Sequence, residues 1–152
     1  MAKINIGNRV ISDDMVRPFL IVEAGVNHEG NLEVAKKMIE EAAKAGADAI
    51  KFQTYKAGTL ASKYSPSYWD RTKEASSSQY ELFQKYDKFW KNEYEILKKH
   101  CDDNNIIFMS TPFDAESVEF LNELMPAYKI ASADITNVPF LKLIAKKKKP
   151  IL

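Results

Sequence analysis

The chain has 152 residues, 45% of them hydrophobic, which is enough for one domain with its own core. Its 22 Lys and Arg against 21 Asp and Glu leave a formal charge of +1, so no electrostatic case exists for a nucleic acid or a strongly acidic partner. No apolar run approaches the ~20 residues that span a bilayer, no basic-plus-apolar leader opens the chain, and the single Cys101 cannot form an internal disulfide. A reducing cytoplasm is the expected location.

In chain order, Ile4 to Ile11 reads as a hairpin turning at Gly7-Asn8. The first buried strand is Phe19 to Val22. Asn31 caps a helix from Leu32 to Lys44, whose apolar positions Leu32, Ala35, Ile39, Ala42 and Ala43 share one face, and Gly46 stops it. A second strand runs from Ala49 to Phe52. Residues 54–88 hold too many aromatics for a disordered linker and read as a long βα loop with a short helix near Gln79 to Lys85.

The next helix is Trp90 to Asn104. A third strand, Ile106 to Met109, precedes a helix capped by Asp114. A fourth strand covers Ala127 to Ile130, a helix follows from about Pro139 to Lys146, and Pro150-Ile151-Leu152 reads as the start of a fifth strand. The lysine run before it, Lys146 to Lys149, reads as a solvated helix end. Strands that are apolar without alternation, separated by helices, define a parallel α/β fold. A doubly wound sheet of this length could be complete, whereas a (β/α)8 barrel needs roughly 250 residues. Ending inside an apolar strand favours the barrel, and the expected architecture is its first four βα units behind a small hairpin.

Polar side chains cluster where each strand ends, as they do in barrel active sites. Lys51 and Lys129 stand at the ends of the second and fourth strands. Buried lysines need a partner, and two converging ammonium groups suit a dianion such as a phosphate ester. Ser110, Thr111 and Ser132 add hydroxyl donors, unless they serve only turns and caps. Glu23 and Asp134 could orient a substrate or manage a proton, or could simply pair with a core lysine. Asn27, His28 and Glu29 lie on the first βα loop. With only His28 and His100 in the chain, no histidine-rich metal site can be assembled. The Gly25 to Gly30 stretch lacks the dinucleotide glycine pattern.

Four motifs, in order, resemble the N-terminal part of the sialic acid synthase family, which includes N-acetylneuraminate, legionaminate and pseudaminate synthases. They are Val22-Glu23-Ala24-Gly25-Val26-Asn27-His28-Glu29-Gly30, Ala47-Asp48-Ala49-Ile50-Lys51-Phe52-Gln53-Thr54, Ser110-Thr111-Pro112-Phe113 and Tyr128-Lys129-Ile130-Ala131-Ser132. The resemblance implies a (β/α)8 barrel followed by an antifreeze-like domain, a homodimer, and condensation of phosphoenolpyruvate with an N-acetylated amino sugar such as N-acetylmannosamine. It places Lys51, Thr111, Lys129 and Ser132 on the phosphoenolpyruvate carboxylate and phosphate, with Gln53 nearby. It puts Glu23 by the reacting centre and Asn27 and His28 on the sugar-facing rim. Asp134 stands where many members have glutamate. A divalent metal, Mn²⁺ or Mg²⁺, serves the intact enzyme, but the family's metal-binding histidines lie on later strands, so none is expected in this chain. Residues 1–152 would then be a truncated half-barrel, inactive alone. The other reading is a non-catalytic α/β module that binds a phosphorylated ligand.

Overall fold

The computed structural model describes residues 3–152. Strands β1 (Lys3–Ile6) and β2 (Arg9–Ser12) pair antiparallel around Gly7-Asn8. A parallel sheet follows, ordered β3 (Ile21–Gly25), β4 (Ala49–Thr54) and β5 (Ile107–Pro112). Helix α1 (Leu32–Lys44) connects β3 to β4, and α4 (Lys91–Asp103) leads into β5. Asn31 accepts from the amides of Glu33 and Val34 at 3.0 and 3.1 Å, which starts α1 where the sequence places it. Asp114 accepts from Ser117 N at 2.7 Å and starts α5 (Ala115–Leu121).

Between β4 and α4 the chain forms α2 (Ala57–Leu60), which the sequence does not suggest, and α3 (Gln79–Tyr86). This excursion is stapled at its base. Lys56 Nζ donates to the carbonyls of Asp87 at 2.6 Å and Phe89 at 3.2 Å, and Ala57 N donates to Asp87 Oδ2 at 2.8 Å. Tyr55 meets Phe83 and Phe113 edge-on beneath it.

The strands run further than their apolar runs. Each of β3, β4 and β5 continues two or three residues into the polar motif that follows it. Backbone pairing is indifferent to side-chain polarity as long as the register holds, and here it does: Ala49 lies between Ile21 and Ile107, and Lys51 between Glu23 and Met109. The expected fourth strand is reduced to a single parallel bridge, Tyr128 to Ile151. Three backbone bonds support it, from Tyr128 N to Pro150 O, Leu152 N to Tyr128 O and Ile130 N to Leu152 O, and Pro150 has no N–H to extend them. A 3-10 turn at Ser132–Asp134 and helix α6 (Val138–Ala145) lie between the two bridged segments.

Alternation along the strands separates two faces. The even-numbered Ile50, Phe52, Phe108 and Tyr128 pack with Ala35, Ile39, Leu97, Val118 and Ile144 of the helices. The odd-numbered Ala49, Met109 and Ala127 pack with Ile6 of the hairpin, and Ile11, Phe19, Ile21 and Ile107 border them. Asp48 anchors this end. It is buried and accepts both nitrogens of the Arg17 fork at 2.7 Å, Arg9 at 2.6 Å and Leu20 N at 2.9 Å. The Arg17 hydrogen bond, helped by that of Leu20 and opposed by burial, holds the Asp48 carboxyl below its ordinary value.

Candidate anion site at the strand ends

Following the odd-numbered face toward the carboxyl ends, the side chains change from apolar to ionic within one step. Ala49 gives way to Lys51 and Gln53, Ile21 to Glu23, and Met109 to Thr111. Lys51 is the hub. Its ammonium pairs with Glu23 and donates to Thr111 Oγ1 at 3.3 Å. The Lys51 side chain is 11% exposed and that of Glu23 49%, so the cation is fixed and its carboxylate partner reaches into solvent.

Gly25 holds this corner open. Its φ of 56° lies in the left-handed region, at the point where β3 slips register against β4. A side chain there would begin 3.5 Å from Glu23 Oε1, 3.7 Å from Gln53 Nε2 and 3.9 Å from Asn27 Nδ2. Carboxylate, carboxamides and glycine backbone therefore meet in one small space beside Lys51.

The structure brings together Glu23, Lys51, Gln53, Asn27 and Thr111 from the residues singled out in the sequence. Lys129 and Ser132 bound a neighbouring cleft of about 400 Å³ with Ile130, Ile135, Leu141 and Leu152. Lys129 Nζ donates there to the Ile130 carbonyl, and among the described residues no hydrogen bond or ion pair joins Lys129 or Ser132 to the Lys51 group. Asp134 sits on the 3-10 turn, where its Oδ1 accepts from Asn137 Nδ2 at 3.3 Å.

Two of the residues singled out in the sequence lie apart from this group. Ser110 does not join Thr111 at the mouth. Adjacent strand residues face opposite sides, and the Ser110 hydroxyl, fully buried, bonds Thr54 Oγ1 at 2.6 Å on the helix-covered face. Nor is His28 on a rim. It is 2% exposed and stacks on Phe89 with ring centroids 4.1 Å apart, with Phe52 at 5.9 Å. The turn closed by Asn27 N to Ala24 O leaves Asn27 exposed and rotates the next side chain into the core. His28 Nδ1 accepts from Gly30 N at 3.1 Å, Nε2 has no partner, and burial lowers the ring pKa to about 4.

The residue that sequence reasoning missed is Tyr94. Its hydroxyl donates to the carbonyl of Gln53 at 2.7 Å, tying helix α4 to the end of β4. Burial pushes its phenol pKa up, so it remains a donor at neutral pH. Helical periodicity alone puts Tyr94 on one apolar face with Leu97 and Cys101; the signal for its role is that a buried tyrosine hydroxyl needs an acceptor.

Among the described residues no group of three or more His, Cys, Asp or Glu side chains is placed to hold a metal ion.

A parallel α/β sheet with a buried lysine, a hydroxyl and a half-exposed carboxylate at its strand ends is a frame for recognising a small anion. The chain matches the model of the NeuB family over residues 38–152 and belongs to that family. It is 46% identical to N,N'-diacetyllegionaminic acid synthase of Campylobacter jejuni over 142 residues, which are 91% of this chain and 42% of that protein. It is 38% identical to N-acetylneuraminate-9-phosphate synthase of Drosophila melanogaster over 150 residues, 95% of this chain and 40% of the relative. Its fold superposes on the crystal structure of N-acetylneuraminic acid (sialic acid) synthetase from Leptospira borgpetersenii in complex with citrate, with TM-score 0.79 and 34% identity, covering 99% of this chain and 48% of that one. The chain thus spans about two-fifths of the length of these curated relatives. Among the described residues no helix is long and apolar enough to cross a membrane.

Proposed function

We propose that these residues form the first four βα units of a (β/α)8 barrel in a nonulosonic acid synthase, and that they carry its phosphoenolpyruvate cradle. The reaction joins C3 of phosphoenolpyruvate to the aldehyde carbon of an N-acetylated amino sugar. Water adds at C2, the C2–O bond to phosphorus breaks, and a nine-carbon 2-keto acid and phosphate leave. Lys51 and Lys129 hold the carboxylate and phosphate charges, and the hydroxyls of Thr111 and Ser132 donate to their oxygens. Glu23 lies beside the reacting centre, Asn27 and Gln53 present amides to the sugar, and Asp134 is available to the incoming water. The Tyr55 to Tyr86 excursion covers the mouth. A divalent metal, when bound, polarises the sugar aldehyde; its ligands would come from later strands of the complete protein, as would an antifreeze-like domain and a homodimer interface. A cytoplasmic setting accords with the buried free thiol of Cys101.

The observation that carries this reading is the apolar-to-ionic change along one sheet face, with Lys51 held between Glu23 and Thr111. The test is phosphate release from phosphoenolpyruvate with N-acetylmannosamine and related aldoses, in the protein that carries these residues. A charge-assisted contact contributes about 1.5–3 kcal/mol, so Lys51→Met should cut kcat/KM by ~10-fold or more. Near-normal kinetics in a folded Lys51→Met protein would overturn the reading. Anion binding without turnover of any aldose would instead favour the non-catalytic module.

A further inference from the structure

We propose that Glu23 is a built-in placeholder. In the ligand-free protein its carboxylate occupies the position on Lys51 that the substrate anion takes, so binding proceeds by exchange of one carboxylate for another anionic group. The inference rests on the reading of Lys51 as an anion-binding residue and deepens it.

Three observations carry the argument. First, the Lys51 ammonium has three N–H groups, and Glu23 and Thr111 already engage it. One N–H is left, so an incoming phosphate or carboxylate that makes more than one bond to this ammonium, or that is to be its main counter-charge, must compete with a present partner. Second, the two partners differ in freedom. Thr111 is 3% exposed and fixed in β5, and Lys51 is buried, but the Glu23 side chain is 49% exposed. Glu23 is the member that can leave. Third, it has somewhere to go. The open corner at Gly25 brings Glu23 Oε1, Gln53 Nε2 and Asn27 Nδ2 around one point, at 3.5, 3.7 and 3.9 Å from where a Cβ would sit. Two carboxamide donors there can receive the released carboxylate without burying it unpaired.

The physical logic is that of a buried cation that needs a counter-charge at all times. An unpaired Lys51 ammonium would be costly, so the free protein supplies its own anion. The consequence is opposite in sign to that of a supporting residue. If Glu23 merely held Lys51 in place, removing its charge would weaken anion binding. If Glu23 competes with the ligand, removing its charge strengthens binding, because the ligand no longer displaces a carboxylate.

The experiment titrates phosphoenolpyruvate, and separately inorganic phosphate, into the protein carrying these residues and into its Glu23→Gln, Glu23→Asp and Lys51→Met variants, by calorimetry. Thermal shift with and without phosphoenolpyruvate is a second readout, since Glu23→Gln should melt lower alone and gain more from the ligand. An ion pair of this exposure corresponds to a gain of about two- to fivefold in phosphoenolpyruvate affinity for Glu23→Gln. Glu23→Asp, which keeps the charge one methylene further away, should fall between the two. In steady state Glu23→Gln should lower KM for phosphoenolpyruvate even as kcat falls. Unchanged or weaker binding in a folded Glu23→Gln protein overturns the placeholder. A Lys51→Met protein that binds like the parent overturns the reading of Lys51 itself, a result separable from the first.

Discussion

Replacing Tyr94 by Phe removes one hydroxyl and leaves the ring. The ring packs near Phe89, Phe108 and Phe120, with centroids 6.1 to 6.4 Å away, and all of that contact survives. What is lost is the 2.7 Å bond to the Gln53 carbonyl. A net hydrogen bond contributes about 1 kcal/mol, rising to about 2 if the carbonyl is left dry, so Tyr94→Phe should cost about 1–2 kcal/mol of unfolding free energy. Tyr94→Ala also empties the ring's volume beneath the sheet and should cost about 3–5 kcal/mol. Urea denaturation followed by tryptophan fluorescence separates the two. Because Gln53 flanks Lys51, Tyr94→Phe should also weaken phosphoenolpyruvate binding by about two- to tenfold, while a surface control on α3 does not. If Tyr94→Phe changes neither stability nor affinity, the helix does not position the strand end. If Phe costs as much as Ala, the ring packing has been overvalued.

Two further outcomes follow from buried ionisable groups. Asp48→Ala strands the Leu20 N–H and should destabilise by about 1–3 kcal/mol, with Asp48→Asn milder because it keeps an acceptor. The folded-state pKa of Asp48 is depressed, so its contribution is present above the unfolded value near 3.8 and is lost as pH falls through the folded one. The stability gap between the parent and Asp48→Asn should therefore narrow in acid; a gap independent of pH down to full protonation would contradict the Arg17 and Leu20 bonding. The His28 ring, lowered from 6.5 to about 4, should stay neutral in NMR titrations above about pH 5. Since the unfolded ring binds its proton first, His28 should withdraw stability as pH falls from 6.5 toward 4, and His28→Leu should flatten that slope. A His28 ring titrating near 6.5 would mean that it is not packed against Phe89.

Much of the fold was legible because its signals are local. The Asn31 and Asp114 caps, the helical periods and the apolar runs mark α1, α4, α5 and the three sheet strands. Strand lengths were not legible, because pairing continues through polar residues wherever a neighbour holds register. The face a residue takes was legible only in part. Lys51 and Thr111 meet because they share parity on paired strands, while among the described residues Lys129 makes no bond to this group. Ser110 fails by one residue, and His28 is turned inward by a loop whose geometry no periodicity reports. Tyr94 and Thr54 escaped notice because their partners, a backbone carbonyl and a serine hydroxyl, lie 41 and 56 residues away in sequence.

The central claim is that the carboxyl ends of these strands hold the phosphoenolpyruvate anion. The most direct measurement is a crystal structure of the protein carrying these residues, soaked with phosphoenolpyruvate. The account predicts the ligand's charged oxygens within hydrogen-bond distance of Lys51 Nζ and Thr111 Oγ1, with Lys129 and Ser132 turned toward them. Ligand bound elsewhere, with the Lys51–Glu23 pair undisturbed and neither lysine in contact, would contradict it.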